Sequence, residues 1–141
     1  MANDGGDFAR SMSIATSGLR AQAGRMRVIS ENIANADSTA ATAGGDPYRR
    51  KVPTFTSELD RTLDAKVVAL GKVRPDSSAF RVKHEPSNPA ADTAGNVKYP
   101  NVNPLIEMTD MRDAQRSYEA NLNIISATRR MIQRTLDILK A

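Results

Sequence analysis

Residues 104–141 read PLIEMTDMRDAQRSYEANLNIISATRRMIQRTLDILKA, and the periodicity of this stretch decides the fold. Met108, Met111, Gln115, Tyr118, Leu122, Ile125, Arg129, Ile132, Leu136 and Leu139 recur at alternating steps of three and four. An apolar residue about every 3.5 positions lays a narrow stripe along a helix, which suits a long partner helix better than a round core. Asn103 followed by Pro104 supplies an N-cap and first-turn pair. Asp110 and Asp113 come early, and Arg129, Arg130, Arg134 and Lys140 come late, the polarity that a helix dipole favours.

The same alternation occurs near the other end, at Phe8, Met12, Ala15, Leu19, Gln22, Met26, Ile29 and Ile33. All seven prolines fall between the two patterns, so neither predicted helix is interrupted. Gly18 and Gly24 lower the helix propensity of the first pattern, and close packing against a neighbour explains them better than a helix end does. Gln22 and Arg129 interrupt the seams, and polar residues there can set register.

The middle reads differently. Ser38–Pro47 is small, polar and loop-like. Lys66–Val73 and Ala79–Lys83 are expected to pair as a hairpin, with Val97 and Tyr99 adding a third strand and Glu85–Gly95 forming an exposed excursion. Glu58, Asp60 and Asp64, interleaved with Arg61 and Lys66, suggest a solvated helical turn. The expected fold is α+β: long N- and C-terminal helices packed as a coiled-coil-like pair, with a small β-rich middle and extended loops. Its segments are residues 1–36, 37–103 and 104–141.

Composition narrows the function. The chain has 141 residues, no cysteine, no tryptophan and a mean hydropathy of −0.47. Thiol nucleophiles, thiolate metal sites and disulfides are thereby excluded. No run approaches the ~20 apolar residues of a membrane helix. The acidic start, Met1 to Asp7, lacks the basic and apolar regions of a secretory signal, so no cleaved signal is expected. The net charge of +4 is spread thinly, with 4 basic against 3 acidic residues in 1–35, 10 against 8 in 36–103, and 6 against 5 in 104–141.

His84 is the only histidine, and no nucleophile or acid pair flanks it. Gly44-Gly45 leads into Asp46-Pro47 and lacks the Gly-Lys-Ser/Thr of a phosphate loop. No catalytic, cofactor or metal residues are expected. Arg49, Arg50 and Lys51 form the densest basic run, so a nucleic-acid binder remains one alternative, and a self-contained helical-hairpin interaction module is the other.

Several motifs carry a family resemblance. Ser30-Glu31-Asn32-Ile33-Ala34-Asn35-Ala36 resembles the Asn-Ile-Ala-Asn signature of bacterial flagellar rod and hook proteins. Tyr99-Pro100-Asn101-Val102-Asn103, Glu107-Met108-Thr109-Asp110-Met111 and Arg116-Ser117-Tyr118-Glu119-Ala120-Asn121 resemble its proximal-rod branch, as do His84-Glu85-Pro86-Ser87-Asn88-Pro89 and Ala94-Gly95. Ser38–Pro47 departs from the family by being longer than its usual Thr-Pro-Gly-Tyr-like turn.

The resemblance implies a structural subunit of the periplasmic rod of the basal body, whose terminal helices form an inner tube around the export channel and whose middle lies outside. It implies self-association and contacts with other proximal and distal rod subunits, with an adaptor at the rod base near the MS ring, and with the flagellar type III export apparatus. Nucleic acid and membrane insertion are not part of it. The assembly residues expected are Met12, Leu19, Met26, Ile29, Ile33, Met111, Tyr118, Leu122, Ile125, Ile132, Leu136 and Leu139. Phe8 and Met12 have the spacing of an export-recognition element. Both arms are expected to order on assembly, because isolated helices gain little without a buried face.

Overall fold

The computed structural model describes residues 4–140; residues 1–3 and Ala141, the outermost ends of the two expected helical segments, lie outside the described residues. Eight elements follow one another: α1 (Asp4–Ala34), β1 (Lys51–Val52), β2 (Phe55–Asp60), β3 (Ala65–Leu70), β4 (Arg74–Pro75), β5 (Arg81–His84), β6 (Asn96–Tyr99) and α2 (Pro104–Lys140). At 1.5 Å per residue, α1 is about 46 Å long and α2 about 55 Å. The fold is α+β, with long terminal helices and a sheet-containing middle, as the heptads and the proline distribution predict. The Asn103 Oδ1 atom accepts from the Leu105 N–H at 3.1 Å, so the predicted cap starts α2. None of the described helices is long and apolar enough to cross a membrane.

The strand pairing differs from the expected hairpin. β3 pairs with β2, from Phe55↔Leu70 to Asp60↔Ala65. β5 pairs with β6, from Arg81↔Tyr99 to His84↔Asn96, and the short β1 pairs with β4. Glu58 and Asp60 therefore stand on a strand, where a helical turn was expected. The reason is the turn at Arg61–Asp64, which uses no glycine. Asp60 Oδ1 accepts from the N–H groups of Thr62 and Leu63 at 2.9 and 3.3 Å, and Asp64 takes a φ of 46°. An aspartate that satisfies its own turn closes the hairpin locally, so β3 pairs backwards with β2.

The chain divides into two compact units, each built from non-contiguous segments. The first comprises residues 1–26, 54–72 and 113–141. Here α1 meets both α2 and the β2–β3 hairpin at small residues. A Cβ on Gly18 would lie 2.7 Å from Asn121 Nδ2, and one on Gly24 would lie 2.7 Å from Leu70 Cδ2. Both glycines thus allow close approach, as their sequence setting suggests, though Gly24 faces a strand residue. The Arg10 guanidinium donates to the Leu63 carbonyl at 2.7 Å, and the Val68 N–H donates to Ser17 Oγ at 3.2 Å.

The second unit comprises residues 27–53 and 73–112. Ala90, Val97 and Tyr99 form its small apolar centre. The Tyr99 hydroxyl donates to Glu85 at 2.8 Å, and this bond, with one from Asn88, holds the Glu85 carboxyl below its ordinary pKa. The long loop after α1 is tied within this unit. The Gly44 N–H donates to the Ala90 carbonyl at 3.0 Å, Lys98 pairs with Asp46 at 2.8 Å, and Arg81 donates to the Ala36 carbonyl at 2.8 Å. Its order is supplied by the chain itself.

Candidate functional site

The signature residues converge on one buried polar knot in the second unit. Asn32, from the Asn-Ile-Ala-Asn motif, is fully buried. Its Oδ1 accepts from the Tyr48 hydroxyl at 2.8 Å and from the Lys51 N–H at 2.9 Å. Its Nδ2 donates to the Lys51 carbonyl at 2.8 Å and to Glu107 Oε2 at 3.1 Å. A buried primary amide with both ends satisfied fixes the backbone on either side of it.

Glu107, on the first turn of α2, is 0% exposed. Its other oxygen accepts from Arg50 Nε at 2.5 Å. Arg50 also reaches Asp76 at 3.4 Å and Asp110 at 3.8 Å, and its backbone N–H donates to Asn101 Oδ1 at 2.8 Å. Burial works against the guanidinium charge, but Glu107 and Asp76 more than offset it, so the Arg50 pKa is raised. Asp76 accepts from the Ser78 N–H at 2.9 Å, and that bond, with the Ser78 hydroxyl and Arg50, lowers its pKa.

Burial, with Glu31 and Glu107 nearby, pushes the Tyr48 phenol up to about 12. The fold therefore favours the protonated phenol, the form that donates to Asn32. Unfolded Tyr48 ionises near pH 10, so above that the unfolded chain holds fewer protons and stability falls. Denaturant midpoints are expected to drop progressively between pH 10 and 12, more steeply for the native chain than for Tyr48→Phe; equal slopes would remove Tyr48 as the cause.

The basic run is consumed in this architecture. Arg49 lies 4.1 Å above the Phe80 ring and donates to the carbonyls of Asp76 and Ser78. Lys51 pairs with Glu31. With Arg50 held by Glu107, the run does not form the free cationic patch that the nucleic-acid alternative needs. His84 is an exposed strand residue whose ring nitrogen lies 3.3 Å from Asn96 Oδ1.

The expected assembly residues divide by burial. Ile29 is buried, while Phe8, Met12, Leu19, Met26, Ile33, Met111, Tyr118, Ile125 and Ile132 are half-buried. Leu122, Leu136 and Leu139 are exposed, Leu139 at 77%. The inward face of α2 keeps the Met111, Tyr118, Ile125 and Ile132 row. The row of Met108, Gln115, Leu122 and Arg129 is displaced outward by one residue in favour of Glu107, Ala114, Asn121 and Thr128. Close helix contact selects small and polar residues there, as at Gly18 against Asn121.

Large apolar side chains are left outside. Ile124, Met131 and Ile138, spaced seven apart, are all exposed, as are Leu105, Ile106 and Met108. These were missed by following a single seam, although the seven-residue spacing marks a second row. From Gln133 to Lys140 every residue of α2 is exposed. A helix end that exposes three large apolar groups, Leu136, Ile138 and Leu139, over two turns is unlike the surface of a monomer.

Two family descriptions match the chain: "Flagella basal body rod protein" over residues 12–41, and "Flagellar basal body rod FlgEFG protein C-terminal" over residues 93–138. The flagellar basal-body rod protein FlgC of Agrobacterium fabrum is 56% identical over 128 residues, covering 91% of this chain and 92% of that protein. FlgC of Bacillus subtilis is 37% identical, covering 92% of this chain and 97% of its own length. FlgC of Aquifex aeolicus is 35% identical, with 95% and 98% covered. The matched ends contain Asn32 on one side and Asn101 and Glu107 on the other, so the knot joins both matched regions. The chain belongs to the FlgC family of flagellar basal-body rod proteins.

Proposed function

We propose that this chain is a structural subunit of the proximal rod, assembling through its terminal helices into the hollow drive shaft that transmits torque and surrounds the export channel. Residues 1–36 and 104–141 form the inner tube, and residues 37–103 lie outside it. The observation that carries this reading is the uncovered apolar surface of α2, including Leu122, Ile124, Met131, Leu136, Ile138 and Leu139, in a chain of the FlgC family. These six side chains are 41–77% exposed, so burying what remains contributes ~7 kcal/mol at about 2 kcal/mol per fully exposed side chain, against an ordering and association cost of similar size. A helical-hairpin module would leave that surface in water, and the family match does not favour it.

Met12, Leu19, Met26, Ile33, Met111, Tyr118, Ile125 and Ile132 contribute partly covered surface to the same interface, and Ile29 supports it from within. Partners are other rod subunits, the rod-base adaptor and the export apparatus, which receives the chain through Phe8 and Met12 without signal cleavage. Most of α1 has intrachain cover, whereas every residue from Gln133 to Lys140 is exposed, so ordering on assembly concerns that end of α2 chiefly. Torque is carried by packed side chains, which resist shear as a close-packed solid does. Deleting the gene and fractionating basal bodies tests the reading. The chain is expected in the purified basal body, with motility lost on deletion and restored by the gene; its absence from that fraction would contradict the assignment.

A further inference from the structure

In the first unit, the face of α2 opposite Ala114 and Thr128 carries Arg116, Arg130 and Arg134. Arg116 and Arg134 are eighteen residues apart, five whole turns, and Arg130 sits one turn before the second. All three are exposed, and among the described residues none forms an ion pair. Glu119 and Asp137 lie on the same face, each three residues after an arginine, but among the described residues neither pairs with one, so the three guanidinium groups remain available to an anionic partner.

The same chain holds a matching surface. A groove of about 450 Å³ in the first unit is lined by Ser13, Thr16, Ser17, Arg20, Glu58 and Asp60, among others. Glu58 and Asp60 are two apart on β2, so they share a face, and the register places uncharged Val67 and Ala65 opposite them. Among the described residues Glu58 has no ion pair, and Arg20, the one cation that they contribute to the groove lining, is not within ion-pair distance of either carboxylate. Two residues along a strand span ~6.8 Å, and four along a helix span ~6 Å. The acid pair therefore matches the spacing of Arg130 and Arg134, and the hydroxyls add acceptors for guanidinium groups.

We propose that Arg130 and Arg134 of one copy dock into the Glu58–Asp60 groove of a second copy. This inference rests on the rod reading and names one of its self-contacts. Because groove and arginine face are different surfaces, the contact is heterologous and repeats from copy to copy without closing on a pair, as a helical shaft requires. Specificity comes from charge: a reversed pair brings like charges together at the contact.

The test is charge exchange in the full chain in cells, read as the amount of chain in purified basal bodies. Glu58→Arg is expected to reduce incorporation at least about tenfold, and so is Arg130→Glu with Arg134→Glu. Combining all three in one chain is expected to raise it at least about threefold above either variant, short of the native level because Asp60 still faces a glutamate. Lack of loss in the separate variants, or a combined variant no better than either, overturns the proposal and points to a different acidic partner. A second measurement uses native charges: the chain lacks cysteine, so Ser13→Cys with Ala127→Cys and a short bis-maleimide reports the contact directly. Copy-to-copy bridges in basal bodies support it, and their absence overturns it. If the native chain itself is missing from basal bodies, the rod reading fails first.

Discussion

Replacing Glu107 with alanine is expected to lower the unfolding free energy by about 3 kcal/mol, the low end for breaking a buried ion pair. The Glu107 carboxylate is fully buried between Arg50 and Asn32, and the substitution strips both of a partner at once. Arg50 retains Asp76 and some solvent, which is why the loss stays at the low end. For a domain with about one kcal/mol per ten residues to lose, that is a large share. Glu107→Gln keeps an acceptor and its shape, so its expected cost is roughly half. Urea midpoints check both, and a loss below about 1 kcal/mol for the alanine variant would show that the knot does not hold the start of α2 in place.

The second large effect separates assembly from folding. The pair Ile138→Asp, Leu139→Asp places charge on surface already in water in the single chain, and Leu122→Glu does so at a side chain that is 41% exposed. Exposed substitutions of this kind change stability by roughly 0.5 kcal/mol or less. Burying the same charge in a subunit interface costs several kcal/mol unless it is paired. Both variants are therefore expected to fold and to be exported, yet to be absent from basal bodies and to abolish swimming. Ile125→Glu also blocks incorporation, but Ile125 is half-buried, so it disturbs the chain's own packing as well. Swimming at near-native rates with Leu122→Glu would remove this face from the interface.

Helices and cap were legible because their causes are local: a 3.5-residue period, prolines confined to the middle, and asparagine before proline at position 104. Gly18 and Gly24 were legible as points of close approach, since a helix tolerates glycine poorly without a packing reason. The inward face of α2 was only half legible. Pattern reading follows large apolar residues, whereas Gly18 against Asn121 is a contact that small and polar residues make, so Leu122 moved outward. Strand pairing departs from expectation at Asp60–Asp64, where an aspartate-closed turn joins two strands in place of the expected helical turn. The knot is invisible to periodicity, because Asn32 and Glu107 are 75 residues apart and Arg50 and Glu107 are 57. Only the family motifs hinted that those residues belong together.

On the proposed rod reading, neighbouring subunits bury the exposed rows of α2. Amide hydrogen exchange, compared between the dilute monomer and isolated basal bodies, tests it most directly. The prediction is fast exchange at residues 133–140 in the monomer, slow exchange around Glu107, and strong protection of 133–140 once assembled. Equal protection of 133–140 in both states, or none in the basal body, would contradict it.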